Sequence, residues 1–540
     1  MKLQINAEAI TAWQQTLGTE HVLTDAAAAV YALDTGPFRQ TIPVVLLPKS
    51  AEAISALVRI AGEHKIPLYA VSTGHNWGYG TANPVVEGCA LVSLAGLNRI
   101  IEFDPEMALV TLEPGVTQQQ LRDFLDERGL DFLVPVTGAG PDCSLIGNAL
   151  ERGYGITPHA DHFGAVTWIE AVLPDGSLYQ GALSELGSPQ IDQAFKWGMG
   201  PYLDGLFTQG AFGIVTKVTI ALAPTPARTE AFFFSLARDE NLEEAVAAVR
   251  EVLLAVGGVG GSINLMNARR VLAMTEPYPH ESVAPAGIMA DELVRERAMR
   301  YQILPWTGVG ALYGETELVK AAKRLVRQRL GHCVRRLVFL TPQKARMAHA
   351  ITRRLPNGGG RLGKIVEKLD LTLRLLAGEP SQIALPLAYW KSRNAPPPAG
   401  MNPARDGCGL IWYSPLIPMK AERVRRYVSL VDSICRKHGI EPLITLTSLS
   451  PRIFDSTVPL LFDPDDPDES ARANACYLEL FEAGRREGLL PYRMGAQHMN
   501  LVTDADIPYW KLVSKLKDAI DPDGVIAPGR YCPTLKSKNE

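Results

Sequence analysis

The segment Ser72-Thr73-Gly74-His75-Asn76-Trp77-Gly78-Tyr79-Gly80 constrains this chain more than any other stretch. It follows the short apolar run Pro67 to Val71, which reads as a strand, and it holds three glycines in nine residues. Glycine reaches backbone conformations closed to other residues, so successive N–H groups can point into one concavity. Such a nest binds pyrophosphate without a lysine. A plain turn could use the same residues, so the segment gains weight from two others of its kind. Gly147 to Gly155 (GNALERGYG) and Gly205 to Thr216 (GLFTQGAFGIVT) also carry small residues that let backbone approach a flat ring or a ribityl chain. Three such segments ahead of one compositional boundary point to a bound dinucleotide. Competing motifs fail. No GxGxxG opens a helix after a strand. Gly358 to Lys364 resembles a Walker A loop, but Ile365 stands where Ser or Thr should ligate Mg²⁺.

Around the first segment, strand and helix signals alternate. Pro43 to Leu47 reads as a strand, and Ala51 to His64 as a helix with Ile54, Leu57, Val58 and Ala61 on one face and Ser50 as its cap. Further strands are expected at Cys89 to Val92, Leu109 to Leu112 and Trp168 to Val172, with a helix over Gln118 to Arg128. Beyond Pro226 the pattern changes. Helical stretches at Leu242 to Val256, Leu318 to Leu330 and Lys420 to His438 alternate with strands at Val338 to Leu340 and Gly409 to Tyr413. This is the pattern of a second domain, and 540 residues require more than one. The acidic-proline run Asp463 to Asp468 reads as a solvated loop.

Several function classes are excluded. With 54 Lys and Arg against 58 Asp and Glu, the chain has no global field for nucleic acid. Its seven cysteines form no CxxC, so neither a zinc ribbon nor a c-type haem site is encoded, and a reduced compartment or buried free thiols are expected in place of a disulfide framework. No stretch approaches the ~18 apolar residues of a membrane span, and the first residues lack the apolar run of a signal peptide. His159 and His162 form an HxxH with no third ligand nearby, so a hydrogen-bonding role is expected and no metal site. The basic run Lys320 to Arg336 has no interleaved aromatics and reads as a solvated helix face.

Taken in order, the segments resemble the vanillyl-alcohol oxidase and p-cresol methylhydroxylase family of FAD enzymes. The resemblance rests on SxGxNxGYG at Ser72 to Gly80, LEPGVT at Leu112 to Thr117, GNALERGYGITP at Gly147 to Pro158 and FKWGMGPYLDGLFTQ at Phe195 to Gln209. It continues with Tyr492-Arg493 and with DPDGVIAPGR at Asp521 to Arg530. It covers roughly residues 40–235 and 385–533, with the middle matched only in outline. It implies an α+β fold: a two-lobed FAD-binding domain of the p-cresol methylhydroxylase type, and an α+β cap domain carrying an antiparallel sheet. The corresponding boundaries are 1–226 for the first part of the FAD domain, 227–480 for the cap, and 481–540 for a segment returning to the FAD domain.

The resemblance also assigns residues. FAD would be held by Ser72, Thr73, Gly74, His75, Asn76, Pro114, Gly147, Asn148, Gly153, Gly155, Gly213, Ile214, Val215 and Arg530. Tyr79, Tyr492 and Arg493 fall where the family binds the phenol oxygen. A free phenol ionises near pH ~10, so forming phenolate at pH 7 costs roughly 4 kcal/mol, within reach of three charge-assisted contacts in a dry site. The implied substrates are 4-alkylphenols, eugenol-like phenols or 4-hydroxybenzylic alcohols, oxidised through a quinone methide. The electron acceptor would be O₂ or a separate cytochrome c subunit, and the protein a homo-oligomer. Localisation would be cytoplasmic, or periplasmic if exported with a cytochrome.

Departures from the family pattern are specific. Ala139 stands where oxidases of the family carry an Asp near flavin N5, with Asp142 close by but out of register. Ile156 replaces a Tyr, and Tyr154 is the nearest candidate to compensate. Leu410 replaces the flavin-linking His of vanillyl-alcohol oxidase, and Asn402 lies near the place of the linking Tyr of p-cresol methylhydroxylase. His75 matches the linking histidine of more distant relatives. An oxidase of sugars, lactones or 2-hydroxy acids, or a silent FAD-binding protein, are the competing readings.

Overall fold

The computed structural model describes residues 5–283, 287–393 and 395–533. A four-stranded sheet near the N-terminus has the order Val22–Thr24, Val44–Leu46, Ala90–Ser93, Leu68–Val71, with the last three strands parallel. Parallel neighbours need a crossover, and the helix Ala51–His64 provides it. Ser50 Oγ accepts from Ala53 N at 3.2 Å, and Ile54, Leu57, Val58 and Ala61 are buried against the sheet and Trp13. A second, five-stranded antiparallel sheet follows, in the order Ile100–Asp104, Leu109–Leu112, Ile214–Ala221, Val166–Val172, Leu178–Tyr179.

The C-terminal segment closes the first sheet. Leu68 N donates to Val525 O and Ala527 N to Leu68 O, both at 2.7 Å. The buried Lys517 ammonium then ties three segments together, donating to Asp521 Oδ2 (2.5 Å), Ala211 O (2.5 Å) and Ile526 O (2.7 Å).

Residues 228–462 build an eight-stranded antiparallel sheet. Its order is Arg336–Leu340, Arg228–Leu236, Trp306–Gly314, Gly260–Asn267, Thr445–Ser450, Ile453–Phe462, Gly409–Tyr413, with Leu416–Pro418 added beside Ile453–Phe462. Side chains alternate between its faces. One face carries Phe232, Phe234, Ile263, Leu265, Leu446, Phe454 and Val458 into a core shared with the helices Leu242–Val256, Thr316–Leu330, Ala421–Lys437 and Pro467–Arg486. Gly308 and Gly310 make room there: a Cβ would lie 2.1 Å from the Phe234 ring and 2.4 Å from the Phe232 ring. The opposite face mixes Ser, Thr and Asn side chains with Phe233, Met266 and Val309, and it faces a cavity.

Two expectations change. Asp466 is the N-cap of a 20-residue helix, accepting from Asp468 N and Glu469 N, and Pro467 opens its first turn. The acidic-proline run is therefore loop only up to Asp466, because prolines and acids suit a helix start as well as a turn. The basic run is not simply solvated either: its helix ends at Leu330, and Lys323 reaches back to the buried Glu230. The seven cysteines are free and buried. Among the described residues no helix is long and apolar enough to cross a membrane.

Candidate active site

The strand Leu68–Val71 delivers the glycine-rich turn into a cleft of about 270 Å³. Ser72, Thr73, Gly74, His75 and Asn76 line it together with Pro114, Gly147, Asn148, Gly213, Ile214, Val215 and Arg530. The turn is held from behind. Gly78 N donates to Thr35 Oγ1 at 2.8 Å, and Trp412 N donates to Gly78 O at 3.1 Å. Gly78 has φ +78°, and a Cβ would sit 2.2 Å from Trp412 Cδ1. Substituting Gly78→Ala should cost about 2–4 kcal/mol by forcing a left-handed alanine and displacing that indole, read as a lower thermal midpoint. Gly147 packs on Ser72 and Ser144, and Ser144 Oγ donates to Pro114 O at 2.6 Å.

Gly153 and Gly155 lie outside this cleft. A Cβ on Gly153 would meet the Asn148 side chain at 2.1 Å, and one on Gly155 would meet His162 Nε2 at 2.3 Å. They serve close packing, and Gly155 lines the second cavity instead. His162 hydrogen-bonds Asn148 at 2.6 Å, and burial lowers its pKa to about 4. Backbone-lined walls, small residues and an arginine form a cradle that fits an extended dinucleotide. His75 adds a buried Nδ1 with no hydrogen-bond partner among the described residues.

Tyr79 converges with the adjacent pair Tyr492 and Arg493 although the sequence sets it far from them. The Arg493 guanidinium carbon lies 4.5 Å from the Tyr79 ring centroid, and Arg493 Nη2 donates to Asn76 Oδ1. Tyr79 and Arg493 line the cleft, whereas Tyr492 packs edge-on against Tyr154 at 5.2 Å between centroids. Burial pushes Tyr79 up to about 12 and Tyr492 well above the ordinary phenol value. Both tyrosines therefore remain protonated O–H groups at neutral pH.

Four neighbours escaped sequence reasoning. Glu151 pairs with two guanidiniums, Arg493 through Nε at 3.3 Å and Arg530 through Nη2. Ser414 Oγ shares a 2.7 Å hydrogen bond with Tyr79 Oη. Asp455 is buried close enough for its charge to act on Tyr79, Tyr154 and Tyr492, and burial raises its pKa to about 8. The fourth, Arg270, lines the second cavity. Glu151 sits inside a glycine-rich motif that could have flagged it; the others carry no local signal.

That second cavity, of about 550 Å³, lies between the cap sheet and the flavin lobe. His75, Trp77, Ala139 and Trp412 line both spaces. Its sheet wall is formed by Asn264, Met266, Thr307, Val309, Thr445, Thr447 and Thr457. Ala139, Tyr154, Ile156 and Leu410 also line it, and no carboxylate does among the described residues. Asp142 instead lies beside His75, where its charge and backbone oppose the burial that lowers the His75 pKa.

Comparison with known proteins agrees with this arrangement. Residues 42–181 match the FAD binding domain family. The chain is 37% identical over 535 residues to 1'-carboxy-chondrochloren decarboxylase of Chondromyces crocatus, covering 98% of each chain. It is 28% identical to the 4-cresol dehydrogenase [hydroxylating] flavoprotein subunit of Pseudomonas putida, covering 89% of this chain and 86% of that one. The structure of p-cresol methylhydroxylase with substrate bound superposes with a TM-score of 0.86 at 25% identity, covering 98% and 97%. These matches define a two-lobed flavoprotein with a capping α+β domain. The chain belongs to the vanillyl-alcohol oxidase and p-cresol methylhydroxylase family, and it is an FAD-dependent oxidoreductase.

Proposed function

We propose that the protein oxidises para-substituted phenols at the benzylic carbon. The observation that carries this reading is the convergence of Tyr79, Tyr492 and Arg493 at the edge of the flavin cleft. Two tyrosine donors and a fixed guanidinium lower the cost of phenolate, which then pushes electrons through the ring. Bound FAD supplies the two-electron acceptor for the benzylic hydride. The chain's own residues supply position and charge. The resulting quinone methide is consumed by addition of water at the benzylic carbon.

A second fate is favoured by the 37% relative, whose name is that of a decarboxylase. Where a carboxylate sits on the carbon next to the benzylic position, its C–C bond breaks. The electron pair becomes the new C=C bond and returns the ring to phenolate, and CO₂ leaves. Anaerobic mixing with 4-ethylphenol, eugenol, vanillyl alcohol and 3-(4-hydroxyphenyl)propanoate tests both fates. Bleaching of the flavin by none of them would return the chain to the readings of a silent FAD protein or a 2-hydroxy-acid oxidase. The acceptor is read in an oxygen electrode, where slow O₂ uptake after bleaching favours a separate cytochrome c subunit.

Asp455 gives the reaction an alkaline limit. With its pKa raised to about 8 by burial, it is a neutral acid at pH 7. Above pH 8 it ionises and sets negative charge beside the groups that hold phenolate, so the rate of flavin reduction falls. Asp455→Asn removes this titration, and the plateau should extend at least one pH unit higher; an unmoved limb would take Asp455 out of the site.

His75 is the candidate for a covalent flavin link, supported by its place on the walls of both cavities. Acid precipitation of the yellow protein leaves flavin in the pellet if the link exists, and His75→Ala should release it to the supernatant. The domain boundary 226/227 is proposed on the same footing, since the sheets divide near it; the second, 480/481, falls within the helix Pro467–Arg486, and the returning segment follows that helix's end.

A further inference from the structure

Arg269 and Arg270 are neighbours on one short helix, yet they have opposite surroundings. Arg269 is saturated: it donates to Glu441 Oε2 at 2.5 Å, Asp291 Oδ1 at 2.6 Å and Met289 O at 3.0 Å. Arg270 turns into the second cavity. Its Nε donates to Thr445 Oγ1 at 3.0 Å, and its buried Nη1 has no partner among the described residues. No carboxylate pairs with it there. Burial alone acts on its charge, pulling the pKa down to about 10, so it stays a cation at neutral pH. It is the one permanently charged side chain lining the cavity among the described residues.

An unpaired buried cation is costly, and removing the partner of a buried ion pair is strongly destabilising. A fold that neutralises Arg269 twice and leaves Arg270 bare leaves a vacant place for an anion. Guanidinium geometry suits a planar carboxylate, which accepts two parallel N–H bonds. The rest of the cavity provides hydroxyls and apolar surface, with no competing acid.

The sheet register locates this place relative to the phenol-binding tyrosines. Thr445 pairs with Met266 and Thr457, and Thr447 pairs with Asn264 and Asp455. Arg270 therefore stands at one cross-strand row of the cavity wall, and Asp455, the neighbour of Tyr79 and Tyr492, at the next. Rows on one face are roughly 7 Å apart.

We propose that Arg270 binds the carboxylate of the substrate, which is a 4-hydroxyphenyl-alkanoate. This rests on the phenol-oxidation reading for the other end of the molecule. The phenol end faces Tyr79, Tyr492 and Arg493, and the carboxylate end is fixed by Arg270 and Thr445.

The test compares an acid with its neutral amide in binding, so that it does not depend on turnover. Calorimetric titration of the holoenzyme uses 3-(4-hydroxyphenyl)propanoate against 3-(4-hydroxyphenyl)propanamide. The wild-type protein should bind the acid roughly 10- to 100-fold more tightly than its amide. Arg270→Gln should erase that preference, and Arg270→Lys should keep part of it. Equal binding of acid and amide by the wild type overturns the proposal without needing any variant. A preference that survives Arg270→Gln in a protein with full flavin content overturns it as well. Failure of the phenol reading looks different: the acid binds with the Arg270-dependent preference and the flavin stays oxidised.

Discussion

Replacing Arg493 by alanine lowers the rate of anaerobic flavin reduction by 4-ethylphenol at pH 7 by about a thousandfold. The magnitude follows from charge. Bringing a phenol from its solution value of ~10 to ionisation at pH 7 needs roughly 4 kcal/mol, and Arg493 is the cation at the tyrosine pair. Loss of one preorganised group that stabilises developing charge costs about 3–4 kcal/mol in enzymes where it has been removed. Exogenous guanidinium should restore part of the rate, because the truncated side chain leaves room beside Asn76 and the Tyr79 ring. Stopped-flow absorbance of the flavin gives the number directly. A variant within threefold of the wild type would mean that the phenol reading is wrong.

The tyrosines predict smaller losses. Tyr79→Phe and Tyr492→Phe each remove one O–H donor and leave the guanidinium, so about 10- to 100-fold each is expected. Tyr79 also keeps a partner for Ser414 Oγ, so its hydroxyl belongs to a chain of two hydrogen-bonding groups. An oxidase of 2-hydroxy acids would answer differently, since its activity would not follow the loss of a phenolate site.

Legibility varied with the range over which each requirement acts. The helix Ala51–His64 was readable to its ends, because one apolar stripe and one serine cap fix it locally. The FAD cleft was readable because close backbone approach must be written in small residues, and most of the named positions line it. Gly153 and Gly155 carry the same signal, and in the structure the space of their missing side chains is taken by Asn148 and His162. The helix start at Asp466 was hidden by composition, since its acids and prolines read equally well as loop. Arg270 and Asp455 were invisible. Each matters through what the sheet register places beside it, and strand alternation alone gives a face without naming the neighbour.

Substituting Glu151→Ala should cost about 3–5 kcal/mol of stability, although Glu151 touches neither the tyrosine hydroxyls nor the second cavity. Its carboxylate holds two arginines that come from distant parts of the chain, Arg493 and Arg530, all three largely buried. With the acid gone, two guanidiniums of like charge face each other across a space with little water. One of them must swing away. Arg530 is then free of its anchor beyond a 3.0 Å donation to Tyr69 Oη, and Arg493 of all but Asn76 among its polar partners. The intact cluster carries two positive charges against one negative, so one unit of positive charge remains beside Tyr79 at the cleft. Glu151→Gln keeps the volume and removes the charge, and it should fall between wild type and alanine. The thermal midpoint and FAD retained after gel filtration measure the first effect, and flavin reduction by 4-ethylphenol measures the second. The double variant Glu151→Ala/Arg493→Ala should be less destabilised than the two losses summed, by about 1–3 kcal/mol, because removing either arginine relieves the repulsion. Strict additivity would mean that the carboxylate and Arg493 do not act as a pair.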